Sequence, residues 1–112
     1  MQENDSLIVR SILTRSSEIY DTQKRFGADP LMLAGDRAYF NAIAMGLLQV
    51  ANASDRLSRE FRAEYQGVAW ERIGEWSRTI NERYETLRAI DLWIMLDDLA
   101  ELYGVCYVIE NI

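Results

Sequence analysis

Three arginines, Arg56, Arg59 and Arg62, recur every third residue, a spacing that would line guanidinium groups along one helix edge as a phosphate-reading ridge. The competing reading is a solvated edge, because Asp55 precedes Arg59, and Arg56 precedes Glu60, by one helical turn each. Asp97 and Glu101 are also one turn apart and could share a hard cation such as magnesium. Two carboxylates without further oxygen ligands hold such an ion weakly, so a solvated face is the simpler assignment, and no metal or other cofactor is expected. Cys106, the one cysteine, lies in an apolar stripe with no basic neighbour to turn its thiol into a nucleophile. The chain has no histidine, which removes serine–histidine–aspartate hydrolysis, histidine-bound zinc and every imidazole general base together.

Charge narrows the partners. Twelve basic against eighteen acidic residues leave a net charge of −6, a poor starting point for holding a polyanion, so nucleic acid is not an expected partner. Between Glu71 and Arg88 four arginines (Arg72, Arg78, Arg83, Arg88) are balanced by four glutamates (Glu71, Glu75, Glu82, Glu85). Beyond Arg88, Asp91, Asp97, Asp98, Glu101 and Glu110 have no basic residue to answer them. Carboxylates are unfavourable towards a helix C-terminus, and a basic patch on another protein would be one use for them. A lone cysteine and an acidic, polar start (Gln2-Glu3-Asn4-Asp5) fit a cytoplasmic protein without a secretory leader. The apolar runs fall far short of a membrane span.

At 112 residues and 49% apolar the chain has the size and composition of one domain with its own core, spanning residues 1–112. Its periodicity is helical throughout. Ile8, Ile12 and Ile19 share a face of a first helix from about Asp5 to Arg25, which Gly27-Ala28-Asp29-Pro30 ends. One further helical turn can follow over Pro30 to Ala34. Phe40, Ile43, Leu47, Val50, Ser54, Leu57 and Phe61 then form a seam of alternating three- and four-residue steps. Asp36 is the expected N-cap of that second helix, and Ser58 can end it and cap a short helix through Tyr65. Gly67 breaks the chain before a third helix with Trp70, Ile73, Trp76, Ile80 and Tyr84 facing inward. A last helix, about Ile90 to Glu110, carries Trp93, Leu96, Leu99, Tyr103 and Cys106 on its apolar side. The fold class is all-α: an antiparallel four-helix bundle with short extra helical turns.

Several words along this chain occur in a family's order. They are Leu47-Leu48-Gln49-Val50-Ala51-Asn52-Ala53-Ser54-Asp55-Arg56-Leu57-Ser58, Glu60-Phe61-Arg62-Ala63-Glu64-Tyr65 and Val68-Ala69-Trp70-Glu71-Arg72-Ile73, followed by Tyr84 and Trp93. With Ile19-Tyr20 and Phe26-Gly27 before them, they resemble the HepT branch of the HEPN-domain proteins, small helical partners of minimal nucleotidyltransferases. That resemblance implies a four-helix bundle, usually a homodimer, serving as the toxin half of a toxin–antitoxin pair. Active members are metal-independent ribonucleases marked by an arginine and a histidine, often with a tyrosine two residues on, near the end of the third helix. Carried onto this chain from Trp70, the family's arginine falls on Ser77, its histidine on Glu82 and its tyrosine on Tyr84. An acidic residue of the second helix falls on Asn52, and Arg78 stands one step from the arginine position. Without the proton acceptor and the positioned cation, in-line attack by a ribose hydroxyl loses its two main supports.

The expectation is therefore a HepT-like protein, ribonuclease-inactive, that binds a nucleotidyltransferase-fold partner and pairs with itself through the second and third helices. By the same resemblance Tyr84 is a possible acceptor of adenylate groups. Two alternatives stand beside it: an active endoribonuclease with an altered site built from Arg78, Glu82 and Tyr84, and an acidic adaptor whose last helix docks on a basic protein surface.

Overall fold

Local chemistry sets the helix boundaries in the computed structural model, which describes every residue from Met1 to Ile112. Helix α1 (Glu3–Phe26) has Glu3 and Asp5 in its first turn and Lys24 and Arg25 in its last, matching the helix dipole at both ends. It stops at Gly27, whose φ of +102° is open to glycine but rarely to other residues. The Gly27 carbonyl accepts a hydrogen bond from the Tyr39 hydroxyl at 3.0 Å, and Phe26 stacks on the Tyr39 ring at 5.1 Å. Asp29 caps α2 (Pro30–Gly35) by accepting from Leu31 N–H at 2.8 Å, with Pro30 at the first helical position. Asp36 caps α3 (Arg37–Ser54) by accepting from Tyr39 N–H at 3.1 Å, as its position predicted.

The seam from Phe40 to Phe61 is buried throughout, yet it spans two helices. After Ser54 the backbone tightens, with Arg56 N–H donating to the Ala53 carbonyl and Leu57 N–H to that of Ser54. Ser58 then caps α4 (Arg59–Glu64) through Phe61 N–H at 3.1 Å. Helix α5 (Trp70–Glu82) ends two residues before Tyr84, which opens a 3₁₀ turn (Tyr84–Thr86) instead of closing the helix. Helix α6 (Ala89–Asn111) starts where Asp91 accepts from Arg88 N–H at 2.8 Å.

Helix α1 packs on α3 and α6, α5 packs on α3 and α6, and α2 lies against α3 and α6. Four long helices thus form the predicted all-α bundle, with α2 and α4 as its short additions. Arg10 near the start of α1 meets Glu110 near the end of α6 at 2.9 Å, so those helices run antiparallel. Arg72 holds α5 to α6 through a two-bonded pair with Asp98, at 2.8 and 3.0 Å. The buried Asp5 carboxylate accepts from Ser58 N–H at 2.8 Å and from its hydroxyl at 2.6 Å, tying the start of α1 to the cap of α4.

Val9, Ile12, Ile43, Leu47, Val50, Ile73, Leu92, Leu99 and Leu102 fill the centre. The inward assignments of Ile73, Trp76 and Ile80 hold, whereas Trp70, Tyr84, Trp93 and Tyr103 are half-buried at the margins of the core. With Trp76 buried and the other two tryptophans packed against the core, the monomer itself accommodates all three. No helix is long and apolar enough to cross a membrane.

Candidate functional site at the end of α5

The last turns of α5 and the turn after it carry Ser77, Arg78, Glu82 and Tyr84, four of the five positions singled out by the family resemblance. Arg83 N–H closes α5 on the Thr79 carbonyl at 3.0 Å, and buried Leu87 anchors the chain beyond the turn. Tyr84 between them lies edge-on to Phe40 (6.2 Å, 77°), and its hydroxyl donates to Asn41 Oδ1 on α3. The Arg37 guanidinium sits 4.6 Å from the Phe40 ring centroid and 5.4 Å from that of Tyr84, within cation–π range of both. Asn41 and Arg37 were not foreseen. Their only sequence signal is their nearness to Phe40 in the first turns of α3, and the pairing of α3 with Tyr84 is a tertiary fact.

Ser77 and Glu82 do not share a face. Five residues of α-helix rotate a side chain by about 140°, so Ser77 is half-buried on one side of α5 while Glu82 is exposed on another. Arg78 is one turn before Glu82, and these two line an open polar depression of about 380 Å³ with Glu75, Thr79 and Arg83. A second depression, about 440 Å³, runs from Asn81 to Thr86 and takes in Glu82, Arg83 and Tyr84. Asn52 is exposed and lies eleven residues beyond Asn41, about 16 Å further along α3. Since α5 runs back along α3, Asn52 stands near the opposite end of α5 from Tyr84. The structure therefore sets Arg78 beside Glu82, and Glu82 beside Tyr84, with Ser77 round the helix from Glu82 and Asn52 near the opposite end of α5.

This turn offers guanidinium groups, carboxylates and a phenol in an open, hydrated setting. Such groups can hold polar partners through hydrogen bonds and ion pairs. The one thiol is no substitute, because burial pushes Cys106 up to about 12.

The arginine ridge does not form. Arg56 lies in the turn after α3, so neither the Asp55–Arg59 nor the Arg56–Glu60 pair has helical geometry. Arg62 turns back and donates to the Leu57 carbonyl (2.8 and 3.3 Å) and to the Asp55 carbonyl (3.1 Å), covering backbone groups at the α3–α4 turn. On α6, Asp97 and Glu101 are exposed and Asp98 is held by Arg72. Alongside them runs the largest depression of the molecule, about 630 Å³, between the C-terminal half of α6 and Tyr65, Gly67 and Val68. It is mainly apolar. Its signal in the sequence was Val105, Val108 and Ile109, apolar positions of the last helix that the inward stripe did not use.

No family model matches the chain, and no curated protein or solved structure matches it significantly.

Proposed function

We propose that this chain is a cytoplasmic HepT-like HEPN-domain protein that works by binding and has no ribonuclease activity. Its partner is a nucleotidyltransferase-fold protein, its pairing is a homodimer through α3 and α5, and its setting is a toxin–antitoxin or nucleotidyltransferase-associated system. The observation that carries the binding reading is the composition of the turn after α5. A carboxylate, Glu82, stands where the family has its histidine, and a hydroxyl, Ser77, where it has its arginine. Tyr84 keeps the family position, and its phenol, which donates to Asn41, is the group that would accept an adenylate. The active-ribonuclease alternative draws on one observation, that Arg78 and Glu82 line the same depression.

Incubation of the purified protein with labelled single-stranded RNA tests the reading. RNA left intact, together with unimpaired growth on expression, is the expected outcome. Cleavage that Arg78→Ala or Tyr84→Phe abolishes would overturn it in favour of the altered nuclease. Restoring the family pair as Ser77→Arg with Glu82→His separates a lost motif from a lost pocket, and either single change should do little because the two groups act as a unit.

A further inference from the structure

We propose that the outward face of α6 is a docking surface for an amphipathic helix of another protein, apolar at both ends and basic in its middle. This stands on α6 alone and does not depend on the family reading.

Helix α6 is apolar on its inner side, where Leu92, Leu99, Leu102 and Cys106 are buried, and largely apolar on its outer side too. A helix apolar all round is normally covered all round. In the monomer, Ile90, Ile94 and Val108 remain 45%, 56% and 57% exposed. With Asp97, Glu101 and Gly104 they follow one another in steps of four, three, four, three and four residues. That is the spacing of a coiled-coil seam, about 27 Å long from Ile90 to Val108. At its C-terminal end the seam opens into the 630 Å³ apolar groove against Gly67 and Val68. The shape suits the side chains of a second helix laid along α6.

Charge decides which helix. The middle of the seam, Asp97 and Glu101, forms no ion pair, because Arg72 is bonded to Asp98, Arg10 to Glu110 and Arg88 lies against Asp91. Arg72 is close enough to Glu101 to feel its charge, but its hydrogen bonds go to Asp98. A second copy laid antiparallel, with Ile90 against Val108, would set Asp97 against Glu101 twice over. Laid parallel, it would set each carboxylate against its own counterpart. Both arrangements bring four carboxylates into the centre of a partly dehydrated contact, where like charges are most unfavourable. A heterologous helix with arginine or lysine at its two central seam positions converts the same carboxylates into paired ones.

The test is fluorescence anisotropy at physiological salt with a labelled helical peptide of about 21 residues, leucine at the outer seam positions and arginine at the two central ones. A matched peptide carries glutamate at the centre. Saturable micromolar binding of the arginine peptide, about tenfold or more tighter than the glutamate peptide, is expected, and Asp97→Arg with Glu101→Arg should reverse that order. Gly104→Gln places a side chain in the groove without altering net charge, and a Cβ at Gly104 meets nothing within 4 Å, so the fold should persist. It should weaken the arginine peptide by about tenfold, which attraction to an acidic protein in general would not produce. Equal affinity for both peptides, indifference to Gly104→Gln, or no binding at about 1 mM would overturn the proposal. A wild-type dimer in sedimentation that Ile94→Glu dissociates would overturn it as well, by showing that a second copy covers the seam.

Discussion

Helices α5 and α6 lie side by side in the bundle, joined by the Arg72–Asp98 pair, and differ in what they turn outward. α5 buries Ile73, Trp76 and Ile80 and presents Glu71, Arg72, Glu75, Arg78 and Glu82 to water. α6 buries an equally apolar inner stripe, yet presents isoleucine and valine on both sides of two unpaired carboxylates. Once packed on the bundle, α5 has no apolar face left over. α6 retains one, arranged at the spacing a further helix would read. The difference separates a helix whose pattern is explained by folding from one whose pattern is only half explained by it.

The largest effects should separate inner from outer positions. Trp76→Ala removes a buried indole from α5 and should lower unfolding stability by about 3–5 kcal/mol. Ile94→Ala on the outer face of α6 should change it by only about 0.5 kcal/mol, since that side chain is already in water in the monomer. Urea unfolding followed by circular dichroism measures both. A large loss at Ile94 would mean that the outer face of α6 is already covered in the free protein, and the contrast between the helices would fail.

Two glycines sharpen the same contrast with one substitution. A Cβ at Gly46 on α3 would lie 2.6 Å from Ile19 Cγ1, where α1 and α3 cross closely. Gly46→Ala should therefore force that crossing apart and lower stability by about 1–3 kcal/mol, despite the better helix propensity of alanine. Gly104→Ala faces open space on α6 and should raise stability by about 0.5–1 kcal/mol. Thermal melts of the pair should thus move in opposite directions, and equal signs would contradict the assignment of covered and uncovered helix faces.

The inner stripe of α6 carries its own reporter. Cys106 is fully buried and its thiol is pushed from 9.0 up to about 12 by desolvation. The unfolded chain releases this proton first as pH rises, so the folded state holds more protons between those values and stability falls with pH across that window. Tyr20 adds a loss of the same sign at higher pH, because burial, and then the charge of Tyr103, raises its phenol above 10.0. Below about pH 9 neither group contributes a slope. Iodoacetamide at about pH 8 should leave Cys106 unmodified in the native protein and alkylate it on unfolding, and Cys106→Ala should flatten the alkaline decline. Rapid native alkylation would show that the inner face of α6 opens readily.

How much of this was legible before the fold was known differs between elements for physical reasons. Asp36 and Ser58 declared helix starts because a short oxygen-bearing side chain ahead of an apolar run has one obvious use. The seam from Phe40 to Phe61 was read correctly as a buried face, with Ser58 starting a second short helix inside it, but the turn from Asp55 was hidden because it keeps the apolar residues in phase. At the end of α5, Tyr84 was singled out by resemblance alone, while Asn41 and Arg37 join it through the packing of α3, which no local pattern encodes. The outer seam of α6 was visible as leftover apolar residues, but its meaning depended on knowing which side of the helix the bundle takes.

A comparably small effect is expected at a serine on α1, which packs against both α3 and α6. Ser16 is fully buried and its hydroxyl has no hydrogen-bond partner, whereas the other buried serine, Ser54, donates to the Ala51 carbonyl at 3.0 Å. An unpartnered buried hydroxyl carries its desolvation penalty without return, and serine is also a slightly poorer helix former than alanine. Ser16→Ala should accordingly stabilise the fold by about 0.5–1 kcal/mol. Ser54→Ala should give no such gain, because it removes a satisfied bond at the end of α3. A melting temperature raised by about 2–4 °C for Ser16→Ala, against an unchanged or lowered value for Ser54→Ala, is the expected result. A fall in both would mean that the Ser16 hydroxyl does find a partner within the bundle, and that the inner side is more polar than its neighbours suggest.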